Sequence, residues 1–198
     1  VSSPQRIFLA GASGVIGRQL TPLLVEVGHT VAGTTRSAGK AGLVRGLGAE
    51  PVVVDVYDAG ALRDAICDFA PDVVVHQLTD LPDDAAQIAA SRESNARMRE
   101  EGTANLVHAA RAAGAGRFIA QSIAWDLAPE YAGRLEEHER LTLGFPGTGI
   151  VLRYGQLYGP GTYYEDEPPE SPRIEVAEAA RRTLRALEAP TGTIVVAE

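Results

Sequence analysis

The chain has 198 residues, 45% of them hydrophobic and 22% charged, with a formal net charge of −8. That size and composition suit one globular domain, residues 1–198, able to bury a core without disulfides or metals. The acidic balance disfavours nucleic acid, whose phosphates repel it. A lone cysteine, Cys67, excludes an internal disulfide, and no apolar run approaches the roughly 20 residues that span a bilayer. With no leader-like start either, the expected partners include no membrane and the expected compartment is the cytoplasm.

In chain order, Arg6–Ala10 reads as a strand, followed by a glycine turn and a helix over Val15–Val27. Strand Thr30–Thr34 precedes helix Ala38–Leu47, and strand Pro51–Val56 precedes helix Ala59–Phe69, whose apolar stripe is expected to bury Cys67 as a structural thiol. Strand Asp72–His76 leads into one long helix, Asp84–Ala113, and strand Arg117–Gln121 into helix Ala132–Leu143. Strand Gly149–Arg153, helix Glu175–Leu187 and strand Thr193–Val196 close the series. The strands are short, β-branched and nearly continuous in apolar residues, as strands covered on both faces must be. Gly28, Gly48 and Gly114 fall just past helix ends, where a left-handed residue is favoured. The alternation predicts an α/β, Rossmann-type doubly wound parallel sheet of about seven strands. Only Glu165–Pro172, acidic and proline-rich, breaks the rhythm and reads as an exposed loop.

The strongest chemical signal is Gly11-Ala-Ser-Gly14-Val-Ile-Gly17, which follows a strand and opens a helix. Gly11 permits the tight turn, Gly14 lets the backbone approach a pyrophosphate, and Gly17 lets helix and strand pack closely. Helix-start N–H groups bind the phosphate charge, and Ser13 offers a hydroxyl. After the second strand the chain reads Thr34-Thr-Arg36-Ser, with no acidic residue to hold a ribose 2′-OH. Arg36 favours NADP, aided by Lys40, the alternative being that it stacks on adenine or faces solvent. Asp55 reads either as an acceptor for the adenine amino group or as a cap for the next turn.

With these residues in place, the chain resembles the short-chain dehydrogenase/reductase superfamily, in its extended or atypical NAD-dependent epimerase/dehydratase branch. The resemblance is carried by Gly11-x-x-Gly14-x-x-Gly17, Asp55, Val73-Val-Val-His76, Asn95, and Gly102-Thr103-x-Asn105-Leu106. Arg117-Phe-Ile-Ala-Gln-Ser122 and Leu152-Arg-Tyr-Gly-Gln-Leu-Tyr-Gly-Pro-Gly161 complete it. It implies NADP or NAD as cofactor, held by Gly11, Ser13, Gly14, Val15, Ile16, Gly17, Arg36, Asp55, Val56, Gln77, Leu78 and Tyr154. It also implies Ser122 and Tyr131 as catalytic residues, with Ile123 in the serine place if the alignment slips by one. Two departures stand out. Leu135 occupies the position of the lysine that normally follows the tyrosine by four, leaving Arg134 as the nearest cation. Residues 162–173, a short loop, stand where relatives carry most of a substrate lobe.

The resemblance therefore implies an NAD(P)-dependent oxidoreductase or epimerase-like enzyme acting on a small carbonyl, hydroxyl or sugar-like molecule. The competing readings are a redox-neutral isomerase, dehydratase or cyclase, and a non-enzymatic NAD(P) sensor. His76 reads as a core histidine or a catalytic one, while His29, His108 and His138 show no metal-ligand spacing. Asp83 and Asp84 suit a helix start. Arg92, Arg97, Arg99 and Arg111 read as a solvated face of helix 84–113, whose apolar side is expected to serve a homodimer.

Overall fold

A computed structural model describes residues 3–82 and 84–198. Among them, seven parallel strands form one sheet: β1 (Arg6–Ala10), β2 (Thr30–Thr35), β3 (Glu50–Val53), β4 (Val73–His76), β5 (Arg117–Ile123), β6 (Thr148–Tyr154) and, after two short strands described below, β9 (Gly192–Val196). Their order is β3-β2-β1-β4-β5-β6-β9. The chain runs outward from β1 in one direction and then restarts beside it at β4. That reversal opens a crevice at the C-terminal ends of β1 and β4, where ligands of such sheets bind.

Helices cover both faces because the strands are apolar on both. In β1, Ile7 and Leu9 face a core with Leu20 and Leu24 of α1 (Val15–Glu26) and Ala179 and Ala180 of α7 (Val176–Ala186). Phe8 and Ala10 face the other core, with Leu62 and Ile66 of α3 (Ala59–Phe69) and Leu106 of α5 (Thr103–Ala112). The period-two alternation of a strand thus feeds both layers. Cys67, one position beyond Ile66, is half-buried at the margin of this face rather than within it. Beyond β2 lies α2 (Ala41–Gly46), shorter than the helix read from Ala38, whose first three residues form a 3-10 turn.

The structure corrects several boundaries. The third strand ends at Val53, because the Asp55 carboxylate accepts the Tyr57 amide at 3.0 Å and turns the chain. The single helix expected over 84–113 is instead a short turn followed by a helical run that changes type twice. A 3-10 turn covers Ala85–Gln87, α4 runs over Arg92–Arg97, and a π-helical turn over Met98–Gly102 feeds α5. Residues 84–90 bury almost nothing, and the hydroxyls of Ser91 and Ser94 bond to carbonyls three residues back, so neither packing nor backbone holds a continuous helix there. Asp84 caps the 3-10 turn through the Ala86 amide at 2.9 Å, while Asp83 lies outside the described residues. Helix α6 starts earlier than read, with Pro129 in its first turn, and runs to Leu143. Finally, β7 (Gln156–Tyr158) and β8 (Arg173–Glu175) pair as a small parallel ladder, tying together the two ends of the proline-rich loop.

Candidate active site

The glycine turn is built to leave its helix start open. Gly11 takes φ +96°, and the Gly14 amide donates to its carbonyl at 3.0 Å. A Cβ on Gly17 would lie 2.2 Å from the Gly11 carbonyl oxygen, so only glycine lets α1 pass so close to the strand end. The Thr34 hydroxyl accepts the Gly11 amide at 3.0 Å, joining the turn to β2, and Ser13 Oγ sits 3.4 Å from Thr35 Oγ1. The amides of Val15, Ile16 and Gly17 have no intrahelical acceptor, and no side-chain cap or acidic residue occupies that first turn. Open amides, a positive dipole end and a backbone stripped of side chains fit a pyrophosphate.

Ala10, Thr34, Arg36, Val56, Leu78 and Met98 line the adjoining crevice. Arg36 is exposed, and its Nη2 pairs with Asp80 Oδ1 at 2.8 Å. Lys40 is exposed, at the end of the turn after Arg36. Gln77 and Tyr154 come together away from solvent. The Gln77 side-chain amide donates to Tyr154 Oη at 3.0 Å, and that oxygen lies 2.5 Å from Thr183 Oγ1. Burial pushes the Tyr154 phenol up to about 12, keeping it neutral.

Ser122 points from β5 toward α6, where its hydroxyl donates to Glu139 Oε1 at 2.6 Å; it is 2% exposed. Arg153 grips the same carboxylate with two hydrogen bonds, at 2.5 and 2.9 Å. Burial acts to raise the Glu139 pKa, but the bonds from Arg153 and Ser122 outweigh it and hold the group below its ordinary value. Ile123, the neighbouring candidate, is buried. Tyr131 is half-buried in the first turn of α6. Helical spacing puts Tyr131, Leu135, His138 and Thr142 on one stripe, and the last two are buried against the sheet. Leu135 therefore projects on the side where a lysine would serve the tyrosine. Arg134 does not replace it, for its guanidinium pairs with Glu93 at 2.7 Å and reaches Glu100 at 3.5 Å.

One polar assembly escaped the sequence reading. The Leu78 amide donates to His76 Nδ1 at 3.2 Å, so His76 carries its proton on Nε2, which meets Thr103 Oγ1 at 3.1 Å. The Thr103 hydroxyl in turn lies 2.7 Å from His138 Nδ1, and His138 Nε2 donates to the Gln121 carbonyl at 2.8 Å. Both tautomers follow, because an amide can only donate and a carbonyl only accept. Burial, then the neighbouring His138, holds His76 well below its ordinary pKa, and burial brings His138 to about 4. Both are neutral at pH 7. The clue in the chain was His138 seven residues after Tyr131, on the same helical face. The π turn also swings Arg99 inward. It is half-buried rather than solvated, and burial lowers its pKa against the pull of Glu139.

Residues 7–124 match the NAD dependent epimerase/dehydratase family. A 3-diazoavenalumate denitrifying reductase from a Streptomyces species is 41% identical over 184 residues, taking in 80% of this chain and 58% of that protein. A dTDP-4-dehydrorhamnose reductase from Streptomyces griseus is 30% identical over 177 residues, 79% of this chain and 51% of its own length. The chain thus spans little more than half the length of either relative. Among solved structures, the Bordetella bronchiseptica enzyme WbmH in complex with NAD+ matches with a TM-score of 0.78 over 98% of this chain and 76% of that one, at 20% identity. By its glycine turn, its sheet order and these matches, the chain belongs to the NAD dependent epimerase/dehydratase family.

Proposed function

We propose that the chain is an NAD(P)-binding domain, with the cytoplasm as its compartment, of a short-chain-type reductase acting on a small electrophilic molecule, a carbonyl compound first among them. The observation that carries this reading is the uncapped first turn of α1 at the crevice mouth. Similarity to two reductases supports it. When bound, a reduced nicotinamide nucleotide supplies a hydride.

The chain's own residues bind, orient and move a proton. The amides of Val15, Ile16 and Gly17, with the Ser13 hydroxyl, hold the pyrophosphate. Val56 and Leu78 flank the adenine, and Arg36 takes a 2′-phosphate. Gln77 and Tyr154 brace the crevice floor. Tyr131 gives its proton to the substrate oxygen as negative charge develops there. Ser122 acts as a positioning residue, because its proton is committed to Glu139. Leu135 offers the Tyr131 phenol no ammonium group. A homodimer through segment 84–113 belongs to the same proposal, although Leu106, Val107 and Ala110 on its apolar side are buried in the chain's own core.

Titration of the purified chain with NADPH and with NADH, followed by nicotinamide fluorescence or heat, tests the reading. Both are expected to bind, NADPH more tightly, and Arg36→Ala is expected to weaken NADPH about tenfold through loss of a charge-assisted contact. Absence of binding by either nucleotide overturns the proposal. With a turning-over substrate, Tyr131→Phe is expected to lower kcat by about a hundredfold or more while nucleotide affinity stays unchanged; an unaltered kcat removes Tyr131 from the mechanism. The apolar Leu135 favours a second reading, a redox-neutral isomerase, dehydratase or cyclase, or a sensor, in which nucleotide binds but no nicotinamide absorbance is consumed.

A further inference from the structure

We propose that Asp80 is a specificity-determining residue, restraining the preference for a 2′-phosphorylated nucleotide by competing with that phosphate for Arg36. The proposal rests on the nucleotide-binding reading above. Arg36 follows β2 and Asp80 follows β4, and these strands flank β1, so both side chains overhang one crevice. The backbone of Asp80 is anchored from behind. The Asp80 amide donates to Asn95 Oδ1 at 3.0 Å, and the Ser94 hydroxyl reaches the Asp80 carbonyl at 3.4 Å. The loop that presents Asp80 to Arg36 is thereby tied to α4.

Other charges nearby are already engaged. Arg97 lies over the Tyr57 ring at 4.0 Å and is bound by Glu101 through two hydrogen bonds, at 2.6 and 3.2 Å. Tyr57 Oη is buried and without a hydrogen-bond partner among the described residues, and burial, then Asp80, raises its pKa. It remains a neutral phenol. Arg36, with the exposed Lys40 beyond it, is thus the cation in place for a phosphate at this end of the crevice, and Asp80 offsets its charge.

The two nucleotides meet this pair differently. A ribose 2′-hydroxyl can donate to a carboxylate, so Asp80 performs from the β4 loop the task that an acidic residue at the end of β2 performs in NAD sites. A 2′-phosphate, close to a dianion, is repelled by the same carboxylate and must share Arg36 with it. Removing one carboxylate charge a few ångströms from a dianion in a water-exposed site is worth about tenfold in affinity.

The test is the NADH and NADPH affinity of the wild-type chain, Asp80→Asn, and Asp80→Asn combined with Arg36→Ala, read by fluorescence or heat on purified protein. The selectivity for NADPH over NADH is expected to rise about tenfold in Asp80→Asn, and most of that gain is expected to vanish when Arg36 is also removed. Asp80→Ser carries the same expectation and serves if the asparagine variant does not fold. A selectivity within about twofold of wild type, or a gain that persists without Arg36, overturns the proposal while leaving nucleotide binding intact. Failure of the wild-type chain to bind either nucleotide overturns both.

Discussion

Gly17→Ala is expected to destabilise the chain by about 3 kcal/mol, the upper end of the overpacking range, and to abolish measurable nucleotide binding. The added Cβ would stand 2.2 Å from the Gly11 carbonyl oxygen and 2.8 Å from the Ala12 carbonyl carbon. Both are backbone atoms of the turn itself. Relief requires α1 to lift away from β1, which breaks the packing of Leu20 and Leu24 and spoils the amide array at once. For a chain of this size the melting temperature should fall by about 6–12 °C. Gly14→Ala separates the two effects, since its Cβ would meet only the Gly11 oxygen, at 3.3 Å. That variant is expected to keep most of its stability yet lose nucleotide affinity, because the methyl group occupies the approach of the pyrophosphate. Denaturant melts and nucleotide titration of the two variants decide the matter. A Gly17→Ala protein that melts and binds like wild type would refute the close-approach argument.

Acidification is expected to destabilise the fold well before its carboxylates protonate. His138 has a pKa of about 4 in the folded chain, against 6.5 when unfolded, because burial disfavours the imidazolium. Between those values the unfolded chain binds more protons, so stability is full above about pH 6.5 and falls as pH drops toward the folded value. The loss from His138 alone approaches about 3 kcal/mol. His76 and His29, both lowered by burial, act in the same direction. Carboxylates such as Glu139, held below their ordinary value, add their share only at lower pH, where unfolded carboxyls begin to protonate. The upper part of the window therefore belongs to the histidines. Urea unfolding between about pH 7 and pH 4.5 should give a ΔG that declines with acid, and a His138→Gln variant should show a shallower decline. Equal slopes for the two proteins would mean that His138 is protonated in the native state and that the Thr103 bridge has been misassigned.

Tyr131 shows where reading along the chain reached its limit. The motif offered the tyrosine and the missing lysine, both of which are local facts. It did not reveal that Ser122 and Arg153 both bind Glu139, since β5 and β6 must pair in register, Ser122 beside Arg153, before the three meet. Asp55 reads along the chain as an adenine acceptor or a turn cap, and in the fold its carboxylate accepts the Tyr57 amide. Nor was the break in segment 84–113 visible. Alanine-rich sequence has high helix propensity, yet propensity is overridden where no face is buried.

The sequence by itself determined the layered parallel sheet and the phosphate turn, because periodicity and glycine placement act within a few residues of one another. Tertiary structure alone decided which charges and hydroxyls became partners. Arg36 found Asp80 across 44 positions, and Thr103 found His76 and His138 across 27 and 35. Such pairings depend on where the ends of β2, β4 and β5 lie relative to one another, a consequence of sheet closure and helix packing that no local pattern encodes.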